Sequence, residues 1–301
     1  MADVEIFELD GVKVACGNNK PDSLPNLYAP VPEHMLWTDK QIKAALEEPV
    51  KQVRKKRRKW MINQSSVGKC NCSAARAGVY QIRELMGQDH VPLSDNYLYW
   101  NINDGKDQGS LLHHAMGFLR ANGMSPLTLN DGTRDVGRIP IDAFRGNEIS
   151  REMLKMANEQ AKRFIIHEPF QIPKDWEGFR RTVATCLARG WPVIMAWAVN
   201  NKSMRLDGKG YCQSGLGSRD YGNHASLFHY AKFVGGNDIV HPDLQNSWGP
   251  TASELYGPKS PGWGDRGFGF MTMEQAYHCR QWHDFYTITS VIQDPWYSLV
   301  A

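Results

Sequence analysis

The sequence predicts an α+β fold in two lobes, a helical N-terminal one and a β-rich C-terminal one, and three observations carry that prediction. Segments with apolar residues at three- and four-residue spacing fall between Cys70 and Gly190. Short apolar runs rich in β-branched and aromatic residues follow Gly190, and such segregation marks α+β architecture. The 301 residues, 42% hydrophobic and 22% charged, suffice for a real core and exclude a disordered or collagen-like chain.

Residues 1–50 give weak signals. "NNKPDSLPNLYAPVPEH" is rich in Pro, Asn and Asp and reads as an irregular arm. "TDKQIKAALEEPV" reads as a short helix, capped by Thr38 or Asp39 and stopped by Pro49. From Cys70 a helix places Ala75, Val79, Ile82 and Met86 on one face, with Gly87 as its stop. A second helix, in "GSLLHHAMGFLRANGM", aligns Leu112, Ala115, Met116 and Leu119 and ends at Gly123. "SREMLKMANEQAKRFII" is a third, capped by Ser150, and "DWEGFRRTVATCLARG" a fourth, from Asp175 to Gly190. "WPVIMAWAV", "HASLFHYAKFV", "DIVHPDLQNSW", "GFGFMTM" and "DFYTITSVI" read as strands.

Net charge is +3, too small to imply a polyanion partner. Seven of the nine residues from Lys51 to Lys59 are basic. A solvated surface run is the favoured reading; a patch for nucleic acid or an acidic partner, and a protease-sensitive linker, are less favoured ones. Six cysteines, at 16, 70, 72, 186, 212 and 279, are too scattered for a disulfide-stapled scaffold. "MADVEIFELDG" has no apolar core of a signal peptide, and no run approaches the ~18 apolar residues of a membrane span. The expectation is a reducing location, cytoplasmic or virion-associated, without a membrane.

"NQSSVGKCNCSAARAG" sets two cysteines one residue apart at a helix start. Such a pair supplies two metal ligands, and no second Cys or His pair has convincing spacing, so neither a metal nor an organic cofactor is expected. A cysteine at a helix N-terminus instead meets the positive end of the dipole and loses its proton more readily. A histidine alongside takes that proton, and an asparagine amide orients the imidazole. The second half offers both, His224 at the start of a strand in "YGNHASLFHYAKF" and Asn246 after the next strand in "LQNSWG", followed by Trp248.

These residues resemble the papain-like cysteine peptidases. That family's nucleophile segment runs Gln-Gly-x-Cys-Gly-x-Cys-Trp-Ala-Phe, its histidine sits in Gly-x-His-Ala, and its asparagine in Asn-Ser-Trp-Gly. "NQSSVGKCNCSA", "GNHASL" and "QNSWG" are similar to these in the same order, while "VPLSDNYLYW" and "GWPVIMAWAV" are weaker echoes. The resemblance covers roughly 60–272 and implies a two-lobe fold with the active site in the cleft. It implies Cys70 as nucleophile, His224 as base, Asn246 as orienter, Gln64 as oxyanion donor and Trp248 as a shield over the His–Asn contact. Gly105 and Gly109, in "DGKDQGS", are the nearest match to the glycines that line the peptide cleft, and Asn223 joins them as a substrate-binding residue. The implied reaction is hydrolysis of a protein or peptide substrate through an acyl-enzyme.

The departures are specific. The family's disulfide cysteine is Val67 here, its Trp after the nucleophile is Asn71, and "PTASELYGPKSPG" separates Trp248-Gly249 from Trp263-Gly264. No long inhibitory propeptide is recognisable. Together they suit a bacterial or phage outlier. The expected organisation is an arm with the basic run over 1–59, a helical lobe with the nucleophile over 60–170, and a β-rich lobe with His and Asn over 171–301. The alternative is a catalytically retired scaffold that binds within a larger assembly, including a virion. Cys72 reads as helix packing, His113 and His114 as helix-surface residues, and Cys186, Cys212 and Cys279 as structural.

Overall fold

A computed structural model describes residues 5–9, 12–17, 27–64, 66–127, 139, 143–144, 149–200, 205–212, 222–249, 263–280 and 284–292. The inserted loop 250–262 and arm residues 18–26 lie outside the described residues. The first elements are the two strands of a hairpin, β1 (Glu5–Leu9) and β2 (Val12–Cys16), in a region of weak sequence signals. α1 (Asp39–Ala45) starts at Thr38, whose side chain and that of Gln41 form a reciprocal capping box.

α2 (Val50–Arg57) contains most of the basic run, which the sequence reading left without secondary structure. It buckles the N-terminal region onto the sheet. Arg54 donates from Nε and Nη2 to the buried Asp243 carboxylate, at 3.1, 3.0 and 2.6 Å, and pairs with Asp265 at 3.2 Å. Arg58 shares Asp265, Lys56 pairs with Glu48, and Arg57 and Lys59 pair with Glu84. Five of the seven basic side chains thus meet acids within the molecule.

α3 (Cys70–Leu85) is the central helix, and every residue from Cys70 to Ile82 is buried. Its small residues let neighbours close on all sides; Gly78 brings Ile194 within van der Waals reach. Its polar side chains are bonded: Ser73 Oγ donates to Asp95, and Gln81 Nε2 to the carbonyls of Gly190 and His229. α4 (Asp95–Ile102), capped by Ser94, and α5 (Leu112–Asn122) pack on it, followed by α6 (Arg151–Ala161), which Ser150 caps as its sequence predicts.

α7 (Trp176–Ala188) leads into the sheet. With β3 (Phe170–Gln171), β4 (Val193–Val199), β5 (Gly222–Gly235), β6 (Ile239–Gln245), β7 (Phe268–Phe270) and β8 (Phe285–Thr287), the strand order is β3-β8-β4-β5-β6-β7, all antiparallel. One face of β4 and β5, with Ile194, Ala196, Ala225 and Leu227, joins the core around α3 to α6. The other, with Val193, Met195, Trp197 and Phe228, packs under α1, α7 and α8 (Met273–Arg280). Both faces of β4 are covered, so its sequence is a continuous apolar run rather than an alternating one.

The strand read in "GFGFMTM" ends at Phe270. Thr272 Oγ1 accepts from Gln275 N–H while Gln275 Oε1 accepts from Thr272 N–H, and this capping box starts α8 at Met273. Among the described residues no helix is long and apolar enough to cross a membrane.

The Arg54–Asp243 pair sets a stability prediction. Arg54→Ala leaves a buried carboxylate beside His229 without its cation and is expected to cost about 3–5 kcal/mol. Lys56→Ala removes a partly exposed pair and is expected to cost less than about 1 kcal/mol. Urea denaturation of the two variants measures the difference, and equal losses would contradict the buckle.

Candidate active site

Cys70 is the first residue of α3 and is fully buried. Its neighbours fix that helix end. The Lys69 ammonium, buried with it, pairs with Asp95 at 3.2 Å and donates to Asn96 Oδ1 at 2.5 Å. Burial alone would raise the Asp95 carboxyl, but Lys69, Arg76 and the Ser73 hydroxyl hold it far below the usual range. Asn71, which stands where the resemblance has Trp, is buried and donates from Nδ2 to Ser110 Oγ at 2.5 Å. A polar tie to the loop before α5 replaces the expected packing. Cys72 is buried; burial first, then Asp95 and Cys70, push its thiol well above the ordinary value.

His224 lies in β5, opposite Trp197 of β4. Asn246 follows β6, which pairs with β5. Two adjacent strands thus bring His224 Nε2 within 2.7 Å of Asn246 Oδ1. The Trp248 indole stacks on the imidazole at 4.1 Å and 20°, and all three side chains are buried. His224 Nδ1 has no hydrogen-bond partner among the described residues. The Cys70 thiol sits against the backbone N–H of Ala225, the next residue along β5.

The N-terminal segment fills this site. Ala15 and Cys16 are buried. Gln64 Nε2 donates to Ala15 O at 2.7 Å and to Val67 O at 3.1 Å, while its Oε1 accepts from Ser247 Oγ. Gly17 N–H faces the Cys70 thiol, and Gly17 O accepts from Ser110 N–H at 2.7 Å. A Cβ on Gly17 would lie 2.1 Å from Gly68 O, so only glycine fits here.

The remaining sequence-derived positions separate. Gly105 packs against the Trp100 ring. Gly109 N–H donates to Tyr99 Oη at 2.9 Å, and the adjacent Ser110 N–H is the donor that meets the arm. Asn223 is partly exposed beside His224. Ser110, Asn71 and Ala15–Gly17 went unread in the sequence as parts of the site, because only the fold brings them to Cys70.

Burial controls the protonation of the pair. It pushes the Cys70 thiol up more than the N–H groups of Gly17, Ala225, Asn71 and Cys70 pull it down. It pushes His224 down to about 3, although the Asn246 bond opposes it. In this arm-covered form both groups are uncharged. Among the described residues no group of three or more His, Cys, Asp or Glu is placed to hold a metal ion.

The architecture is the papain-like fold. Xylellain, a cysteine protease from Xylella fastidiosa, superposes with a TM-score of 0.61 at 20% identity over 92% of this chain and 96% of that one. The cysteine protease and lectin-like domains of Cwp84, a surface layer associated protein of Clostridium difficile, superpose at 0.59 with 15% identity over 97% of this chain and 62% of that one. Recombinant stem bromelain precursor superposes at 0.53 with 18% identity over 88% and 76%. No family model matches the chain, and no curated protein matches it.

The pH dependence of stability follows from His224. Its folded value lies below the ordinary 6.5, so between pH 6.5 and about 3 the unfolded chain binds a proton that the folded chain refuses. Stability is therefore expected to be flat in this contribution above pH 6.5 and to fall below it, by up to ~1.4 kcal/mol per pH unit. Urea midpoints from pH 7 to 4 measure the slope. It should be shallower in His224→Gln, and an equal slope would contradict the assignment.

Proposed function

We propose that this chain is a papain-like cysteine peptidase held latent by its own N-terminal segment. The observation that carries this reading is the His224–Asn246 bond beneath Trp248, set beside the β5 position that touches Cys70. It is the geometry of a base and its orienter next to a nucleophile at a helix N-terminus.

With the arm withdrawn, water and substrate reach the pair, and the thiol transfers its proton to His224. The Cys70 thiolate then attacks the peptide carbonyl carbon. The developing oxyanion takes the place of Ala15 O, accepting from Gln64 Nε2 and the Cys70 N–H. His224 protonates the leaving amine, the C–N bond breaks, and an acyl-enzyme remains. His224 next takes a proton from water, whose oxygen attacks the thioester and releases the acid and the thiol. Asn246 keeps the imidazole oriented throughout, and Trp248 keeps water off their bond. Proteins or peptides are the substrate class.

The arm itself is not set for attack. The thiol faces the Gly17 N–H, a donor, whereas the carbonyl held by Gln64 belongs to Ala15, two residues away.

An epoxide-type, thiolate-directed peptide inhibitor tests the reading, with intact mass as readout. One adduct is expected, lost in Cys70→Ala and retained in Cys72→Ala. Gly17→Val, which cannot seat against Gly68, should label at least about tenfold faster than wild type. No adduct in either wild type or Gly17→Val would support the retired, binding scaffold instead.

A further inference from the structure

The loop between α4 and α5, residues 103–111, meets the start of α3 on both sides of Cys70. Two residues before the nucleophile, Gly68 N–H donates to Asp107 Oδ1 at 2.9 Å. One residue after it, Asn71 Nδ2 donates to Ser110 Oγ at 2.5 Å. Tyr99 of α4 steadies this loop. Its hydroxyl donates to the same Asp107 Oδ1 at 2.8 Å and accepts from Gly109 N–H at 2.9 Å, while its ring is fully buried against Phe144. Burial first, then Asp107, push the phenol well above its ordinary value, so it stays a donor to the carboxylate.

A carboxylate suits this position. One oxygen accepts from two donors at once, and both bonds are charge-assisted. Val67 stands where the resembled family has its disulfide cysteine, and Asn71 where it has Trp. Two hydrogen-bonded ties therefore hold the nucleophile segment where a covalent bond and a packed ring are missing. The groups that meet the thiol are the N–H groups of Gly17, Ala225, Asn71 and Cys70, so Asp107 acts through Gly68. Lys69 N–H donates to Val67 O at 2.8 Å and closes a tight turn around Gly68. In a turn this short, a shift of Gly68 carries Cys70 with it, and a reacting atom displaced by ~1 Å costs about 100-fold in rate.

We propose that Asp107 is a positioning residue of this site. Its carboxylate, steadied by Tyr99, holds the Gly68 N–H and through it sets the Cys70 thiol and the Cys70 N–H against His224 and Gln64. The tie needs no disulfide and so survives reduction. The proposal rests on the peptidase reading and names what places its nucleophile.

Two reagents separate placement from ionisation in the full-length Gly17→Val chain, whose arm cannot seat against Gly68. The epoxide-type peptide inhibitor needs thiol, imidazole and cleft in register. Iodoacetamide at about pH 9 needs only an accessible thiolate. Asp107→Ala is expected to slow the epoxide about 100-fold at Cys70, while iodoacetamide alkylation stays within about threefold. Asp107→Asn, which keeps an acceptor oxygen for Gly68, should recover the epoxide rate to within about tenfold of the parent. An epoxide rate unchanged in Asp107→Ala overturns the proposal and leaves the peptidase reading intact. An equal fall with both reagents, or no recovery in Asp107→Asn, overturns it too, because a residue that only stabilises the fold gives those results. No epoxide adduct in Gly17→Val itself overturns the peptidase reading, and this role falls with it.

Discussion

The chemistry proposed for this chain depends on one contact, the N-terminal end of α3 against β5 at Ala225. It brings the Cys70 thiol, carried by the helical lobe, to a strand whose preceding residue is His224. Much of the remaining structure fixes the two sides of that contact. Lys69 and Asp95 anchor the helix end to α4, and Asn71 anchors it to Ser110. The sheet brings Asn246 to the imidazole, and Trp248 covers both. Gln64 joins the two halves, since its backbone N–H and side chain both meet Ser247, one residue beyond Asn246.

That contact is also fully buried, which decides its charge state. Burial disfavours both the thiolate and the imidazolium. The arm exploits this. Gly17 offers the thiol an N–H donor, and Ala15 offers Gln64 an acceptor, so the thiol and the Gln64 amide are met without any charge. A segment of three residues can hold such a site closed because its bonds replace those that a substrate would make.

The parts legible in the sequence were those with local or paired signatures. The two-lobe α+β character followed from segregated periodicities, and the helices capped by Thr38, Ser150 and Asp175 from their start signals. Cys70, His224, Asn246 and Trp248 were legible only as a set, since no one of them carries a signal alone. The hairpin at the N-terminus was not legible as part of the site, because the groups that meet its second strand and the following glycine, Gln64 and Ser110, lie far along the chain. The basic run looked like a free surface because its acids, Asp243 and Asp265, lie in the distant β-rich lobe. Strand order was not legible either: β8 lies beside β4 although three of the six strands lie between them in sequence.

The measurement that bears most directly on the account is the ionisation of Cys70, read from the pH dependence of its alkylation in the full-length chain and in Gly17→Val. The account requires that wild type react only as the pH rises above neutrality, with the thiol protonated under the arm. Gly17→Val should react from well below neutrality, as a thiolate paired with the His224 imidazolium. Identical profiles for the two proteins would contradict the claim that the arm sets the charge state of the site.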